Sequence, residues 1–155
     1  MKHLLNRLLF ASIAFVAAAP SIAQDRGTAS DATALVKKVI TYYKANGKDK
    51  TWAAINEQNP DFKYKDLYVF GSVAKEGQPL AAHGANSRMI GKDMGELKDA
   101  DGFPFAKKII EIALSKEGKG WVDYKWPNPV TKAIEPKSTY VERVDDVYFA
   151  VGIYK

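Results

Sequence analysis

From Gly118 to Tyr140 the chain reads Gly-Lys-Gly-Trp-Val-Asp-Tyr-Lys-Trp-Pro-Asn-Pro-Val-Thr-Lys-Ala-Ile-Glu-Pro-Lys-Ser-Thr-Tyr, and no other stretch narrows the fold as much. Aromatic and β-branched residues specify a strand over Trp121 to Trp126 and a second from Ser138 towards Val144. Pro127, Pro129 and Pro136 between them each lack an N–H and have a fixed φ, so the connection reads as a rigid loop. Strand residues alternate faces, which puts Val122, Tyr124 and Trp126 on one side and Trp121, Asp123 and Lys125 on the other. Two large rings with polar tips therefore share a face, a composition that suits a small-molecule pocket as well as a core. Lys137, next to Pro136, is expected to put a cation near the same end of the hairpin.

The start of the chain reads as a targeting segment. Lys2 and Arg7 precede an apolar run from Leu8 to Ala19 broken only by Ser12, and Ser21-Ile22-Ala23 supplies small residues for a signal peptidase. Cleavage is expected before Gln24, giving a signal peptide over 1–23, a loose mature terminus over 24–30 and one domain over 31–155. The run is too short to span a bilayer, so export to the periplasm without membrane insertion is expected. The chain has 23 basic and 18 acidic residues; without Lys2 and Arg7 its net charge falls from +5 to about +3, too mild for a nucleic-acid partner. Having no cysteine, it makes no disulfide, thiolate or cysteine-bound zinc site.

From Asp31, the residues Leu35, Val36, Val39, Ile40 and Tyr43 recur at helical spacing until Gly47, with Asp31 or Ser30 as the cap. A short helix follows from near Thr51, burying Trp52 and Ile55 and ending before Asn59-Pro60. Asp66 to Val73 reads as a strand in which Gly71 marks a bulge or a close backbone approach, with a second strand around Leu80 to His83. Gly84 to Gly102 is a long, glycine-punctuated connection of the kind that is more often functional than accidental. A helix over Phe105 to Ser115, with Phe105, Ile109, Ile112 and Ala113 inward, leads into three closing strands, the last over Val147 to Tyr154 after an Asp145-Asp146 turn. This order predicts an α+β domain with an antiparallel sheet of about five strands.

His83 is the only histidine after the targeting segment. The chain has no Gly-x-Ser-x-Gly elbow to serve a histidine base, so His83 is either an ordinary histidine or a donor to a bound anion. Asp99 and Asp101 resemble the opening of a calcium loop, but aligning them puts Leu97 and Lys108 where oxygen ligands are required. They are expected instead to cap local amides in a turn, with Gly102 in a conformation closed to other residues. No metal or cofactor is expected.

Taken together, Gly118 to Pro129, Pro136-Lys-Ser-Thr-Tyr-Val, Leu80-Ala-Ala-His-Gly, Ile90-Gly-Lys-Asp, Lys98-Asp-Ala-Asp-Gly-Phe and Val151-Gly-Ile-Tyr resemble the single Cache domain, type 2, of bacterial extracytoplasmic sensors. The resemblance covers nearly all of Asp31 to Tyr154. It implies a PAS-like fold: a long N-terminal helix packed on one face of a five-stranded antiparallel sheet, and a small ligand, typically a short organic acid, between the other face and its loops. Carried over by motif, His83, Tyr124, Trp126, Lys137 and Tyr140 would line or approach that pocket, with Lys137 and His83 facing the carboxylate. Two departures from the pattern are read: the chain is expected to be the stand-alone form, without the flanking membrane helices and signalling domain of receptors, and it has Ala150-Val151-Gly152 where the family often has Gly-Thr-Gly.

The resulting expectation is an exported, non-enzymatic binding domain for a short-chain carboxylate that reports to a membrane receptor or kinase. A ligand-free interaction module and a small periplasmic enzyme using His83 with Asp99 or Asp101 are the alternatives.

Overall fold

The computed structural model describes residues 25–155; the expected signal peptide lies outside the described residues. Helix α1 spans Ala29–Asn46 and begins two residues earlier than the periodicity suggested. Thr28, rather than Asp31 or Ser30, is its cap: the Thr28 hydroxyl accepts from the Asp31 amide at 3.2 Å, while the Asp31 carboxylate accepts from the Thr28 amide at 2.9 Å. This reciprocal arrangement satisfies free amides at both positions. The segment expected to be loose is tied down in part, since the Gly27 amide donates to Asp66 at 2.7 Å and Arg26 pairs with Glu135 at 3.1 Å. Gly47, at φ +81°, ends α1 and at once starts α2 (Lys48–Asn56), which therefore begins ahead of Thr51.

The sheet has strands β1 (Lys63–Tyr64), β2 (Leu67–Val73), β3 (Ala82–His83), β4 (Lys119–Pro127), β5 (Ile134–Val144) and β6 (Val147–Tyr154). Its order is β1-β2-β6-β5-β4, with β3 also paired to β2 and every pair antiparallel. The described strands number six rather than five because Lys63–Tyr64 folds back onto the start of β2. β5 starts earlier than expected and takes in Pro136, so Lys137 sits inside the ladder, opposite Tyr124 on β4 and Tyr154 on β6. The proline is tolerated where β6 runs out, and its carbonyl accepts from the Lys155 amide at 3.0 Å.

Period-two alternation divides the core into two layers. Leu67, Val69, Val147, Phe149 and Val151 face Leu35, Val36 and Val39 of α1 and Ile55 of α2. Tyr68, Phe70, Val141, Tyr148 and Ala150 face the opposite way, against Phe105, Ala106, Ile109 and Ile110 of helix α3 (Phe105–Leu114). On α3 it is Ile110, not Ile112, that is buried.

Gly71 is a close approach and not a bulge, because its ladder with β6 runs unbroken from Val69 to Val73. A Cβ there would lie 2.4 Å from the Tyr148 carbonyl oxygen and 3.2 Å from Trp52. Backbone cannot yield as a side chain can, so Gly71→Ala is predicted to cost about 1–3 kcal/mol of stability. Urea unfolding of the wild type and the variant measures it directly.

Candidate functional site

Lys137 is the most unusual side chain in the molecule. It is 1% exposed, and among the described residues no carboxylate pairs with it. Its Nζ donates to the Tyr68 hydroxyl at 2.7 Å and to the Tyr154 hydroxyl at 3.3 Å. The same atom lies 4.2 Å from the centroid of the Tyr68 ring and 4.7 Å from that of Tyr154, so two aromatic faces share the cation. Gly152 makes this course possible: a Cβ on it would come within 2.1 Å of Lys137 Cε and 2.5 Å of Thr139 Oγ1. Burial penalises the ammonium and lowers its pKa to about 7, against a smaller opposing pull from Asp66.

His83 ends β3 beside this group, its ring 4.9 Å from that of Tyr68 and 5.9 Å from that of Phe70. The amides of Ala85 and Asn86 both donate to Nδ1, at 3.3 and 3.0 Å. An imidazole nitrogen that accepts carries no proton, so the proton of the neutral ring is on Nε2. Burial, assisted by the neighbouring Lys137 charge, lowers the His83 pKa to about 3. The ring is therefore a fixed neutral donor. The Tyr68 hydroxyl accepts from Lys137 and, since Tyr154 spends its own proton on the Pro127 carbonyl at 2.9 Å, Tyr68 is the donor across the 3.4 Å contact between the two hydroxyls.

Tyr68, His83 and Trp126 form a wall between two spaces. The inner one is lined by Phe70, Leu80, Met89, Met94, Leu97, Phe105 and Tyr124 and has a volume of about 20 Å³, enough for about one water. Tyr124 stacks on Phe105 at 4.3 Å, and its hydroxyl bonds Thr139 Oγ1 at 2.9 Å. The outer space, of about 300 Å³, is a polar mouth bounded by Ala85, Asn86, Pro127, Asn128, Pro129 and Lys132. The glycine-punctuated connection supplies Met89, Met94 and Leu97 to the inner wall, and methionine repacks readily around a guest. That connection is anchored by Asp99, whose carboxylate accepts from the amides of Asp101 and Phe103, each at 2.9 Å, and from the Lys125 amide of β4 at 3.0 Å. Gly102 takes φ +81°, as the turn requires.

Of the five residues named by motif, His83, Tyr124, Trp126 and Lys137 lie together on the face turned away from α1. Tyr140 does not join them. It packs on the α1 side, 5.2 Å from the Trp121 ring, and its hydroxyl donates to Glu142 at 2.8 Å. Three residues separate Tyr140 from Lys137 in one strand, so the pleat sends them to opposite faces. The dyad needed by an enzyme using His83 is not assembled: Asp99 holds backbone amides and Asp101 pairs with Lys125 at 2.8 Å. Tyr68, Tyr154 and Gly152 complete the cluster; Gly152 and Tyr154 fall in the Val151-Gly-Ile-Tyr motif without being named as site residues, and Tyr68 lies in none, since only cross-strand register brings it to Lys137.

The sequence model of the family described as "Single Cache domain 2" matches residues 21–154. Over 66 residues the chain is 27% identical to the methyl-accepting chemotaxis protein McpP of Pseudomonas putida, spanning 43% of this chain but only 12% of that protein's length. Its fold is similar to that of a Cache chemosensory domain solved for carboxylic acid recognition, with a TM-score of 0.66 at 20% identity, covering 81% of this chain and 91% of the other. A methyl-accepting chemotaxis protein from Vibrio parahaemolyticus is equally similar, with a TM-score of 0.66 at 24% identity over 81% of this chain and 86% of that one. The periplasmic sensor domain of a chemotaxis protein gives 0.60 at 20% identity, covering 79% and 86%. Among the described residues no helix is long and apolar enough to cross a membrane.

The two displaced ionisations predict two adjacent pH windows in which stability rises with pH. Lys137 stands at about 7 in the fold against about 10.4 in an unfolded chain, so the unfolded state binds the extra proton between those values and stability rises with pH from about 7 to 10. Lys137→Met should flatten that rise. For His83, at about 3 folded against about 6.5 unfolded, stability is lost as pH falls from about 6.5 towards 3, and His83→Asn should remove that share of the loss. Each effect is worth up to about 4 kcal/mol and is read from urea unfolding over a pH series.

Proposed function

The chain belongs to the single Cache domain 2 family, and from that premise we propose that it is an exported, periplasmic sensor domain that binds a short-chain carboxylate and reports its occupancy to a membrane receptor or kinase. The observation that carries this reading is a cluster of donors with no anion among them. Tyr68 and His83 line both the inner space and the mouth, and Lys137 stands directly behind the Tyr68 hydroxyl; the His83 Nε2 proton and the Lys137 amine are donors that a carboxylate would accept from. Tyr124, Trp126, Phe105 and the methionines supply an apolar lining for a carbon chain of a few atoms. The neighbouring fold solved for carboxylic acid recognition supports the same ligand class.

The inner space as it stands holds about one water, so a C2 to C4 acid enters by displacing Met89 and Met94 or by resting its carboxylate in the mouth with only its tail inserted. That tightness also favours a second reading, a ligand-free interaction module with a filled core. The two part company in a thermal-shift screen of the protein against short carboxylates, amino acids and purines. Binding stabilises the folded state by about 2.7 kcal/mol at a hundredfold excess over the dissociation constant. A carboxylate is expected to raise the melting temperature of the wild type and of Tyr140→Phe, whose side chain lies on the far face, but not that of Lys137→Met. A flat screen with every variant folded establishes the interaction module instead.

A further inference from the structure

Resting on that reading of the site, we propose that carboxylate binding is coupled to the uptake of one proton by Lys137, so that the domain responds to acidity as well as to its ligand. The argument begins with what surrounds Nζ. Nζ touches two phenol oxygens and aromatic faces, partners that accept from an ammonium and from a neutral amine alike. Among the described residues no charge of opposite sign touches it: the Asp66 Oδ2 atom is buried without a hydrogen-bond partner there, and Oδ1 is committed to the Gly27 amide. An ammonium buried without an anion loses its solvation and gains little in return, which agrees with the lowered pKa of about 7.

The groups facing Lys137 from each neighbouring strand leave it alone in titrating near neutrality. Tyr68 of β2, Tyr124 of β4 and Tyr154 of β6 are all pushed upward by burial and stay neutral. His83 of β3 is held low and also stays neutral. Glu135 of β5, near Tyr154, is lowered chiefly by its hydrogen bond from Thr131 and is paired with Arg26, so it stays ionised. A carboxylate entering this site changes the balance, because its charge favours the ammonium. Above neutrality the step is Lys137–NH₂ plus a proton from solvent plus the carboxylate, giving an ammonium–carboxylate pair; equivalently, the neutral amine takes up the undissociated acid.

Affinity for a carboxylate should therefore weaken about tenfold for each pH unit above the midpoint of Lys137. The test is titration calorimetry with propionate at pH 6.5 and 8.5, each in two buffers of different ionisation enthalpy. The dissociation constant is expected to rise about twentyfold between the two, with about one proton taken up per propionate at the higher pH. Lys137→Arg, which does not deprotonate, should bind with no such dependence. A check on the wild type alone covers the case in which that variant does not fold: its Lys137 Cε signal should titrate near neutrality and move above pH 9 when propionate saturates the site. Equal affinities at both pH values, or a Cε signal of the free protein that titrates only above pH 9, overturn the coupling and leave the site standing. If neither propionate nor any other acid of the thermal-shift panel binds at either pH, the carboxylate site itself falls, and the coupling falls with it.

Discussion

The arrangement of this molecule turns on one lysine inside a sheet. Burying an ammonium costs several kcal/mol unless charge or hydrogen bonds offset it, and among the described residues no carboxylate pairs with Lys137 to do so. The sheet instead offers the hydroxyl and ring of Tyr68, the hydroxyl and ring of Tyr154, and a strip of bare backbone at Gly152 over which the methylenes pass. Aromatic faces around a desolvated cation contribute on the order of 2 kcal/mol, which lowers the penalty without abolishing it. What remains is a buried donor with two hydrogen bonds, to Tyr68 and Tyr154, for the three N–H bonds of its charged form.

The two faces of the sheet divide the work. Towards α1 the layer is almost wholly aliphatic and aromatic, close-packed and without a charged residue among its buried members. Such a layer resists deformation and gives the strands a fixed register. Towards α3 the layer is interrupted by Lys137, His83, Thr139 and the tyrosine hydroxyls, and it is closed by a loop rich in methionine rather than by another helix. The mouth is held from outside by a polar chain, in which Asn128 donates to Glu135 at 3.1 Å, Glu135 pairs with Arg26, and Arg26 donates to the Lys155 carbonyl at 2.8 Å. Both ends of the described chain therefore meet at the entrance to the candidate site.

Much of this was legible in the linear sequence. The helical stripe from Leu35 to Tyr43, the strand-favouring composition of β2, the alternation over β4 and the Asp145-Asp146 turn before β6 placed the main elements to within a few residues. Errors gathered where one residue served two elements, as Gly47 does between α1 and α2, or where a proline was read as ending a strand that continues through it, as at Pro136. The face of Tyr140 was also legible, since the odd spacing from Lys137 to Tyr140 is incompatible with a shared side. Motif resemblance assigned both to the pocket, and strand parity is the stronger physical rule.

The sequence by itself determined the fold class and several residues of the candidate site, because amphipathic period, turn residues and the aromatic hairpin are local properties that neighbouring residues carry. It did not determine that Lys137 is buried, that Nδ1 of His83 is spent on the Ala85 and Asn86 amides, or that Tyr68 and Tyr154 receive the lysine. Tyr68 and Lys137 stand 69 residues apart, and only the β2-β6-β5 order brings them within hydrogen-bonding distance. The depressed basicity of the amine follows from the same cause, since desolvation depends on everything packed around an atom and hardly at all on its neighbours in the chain.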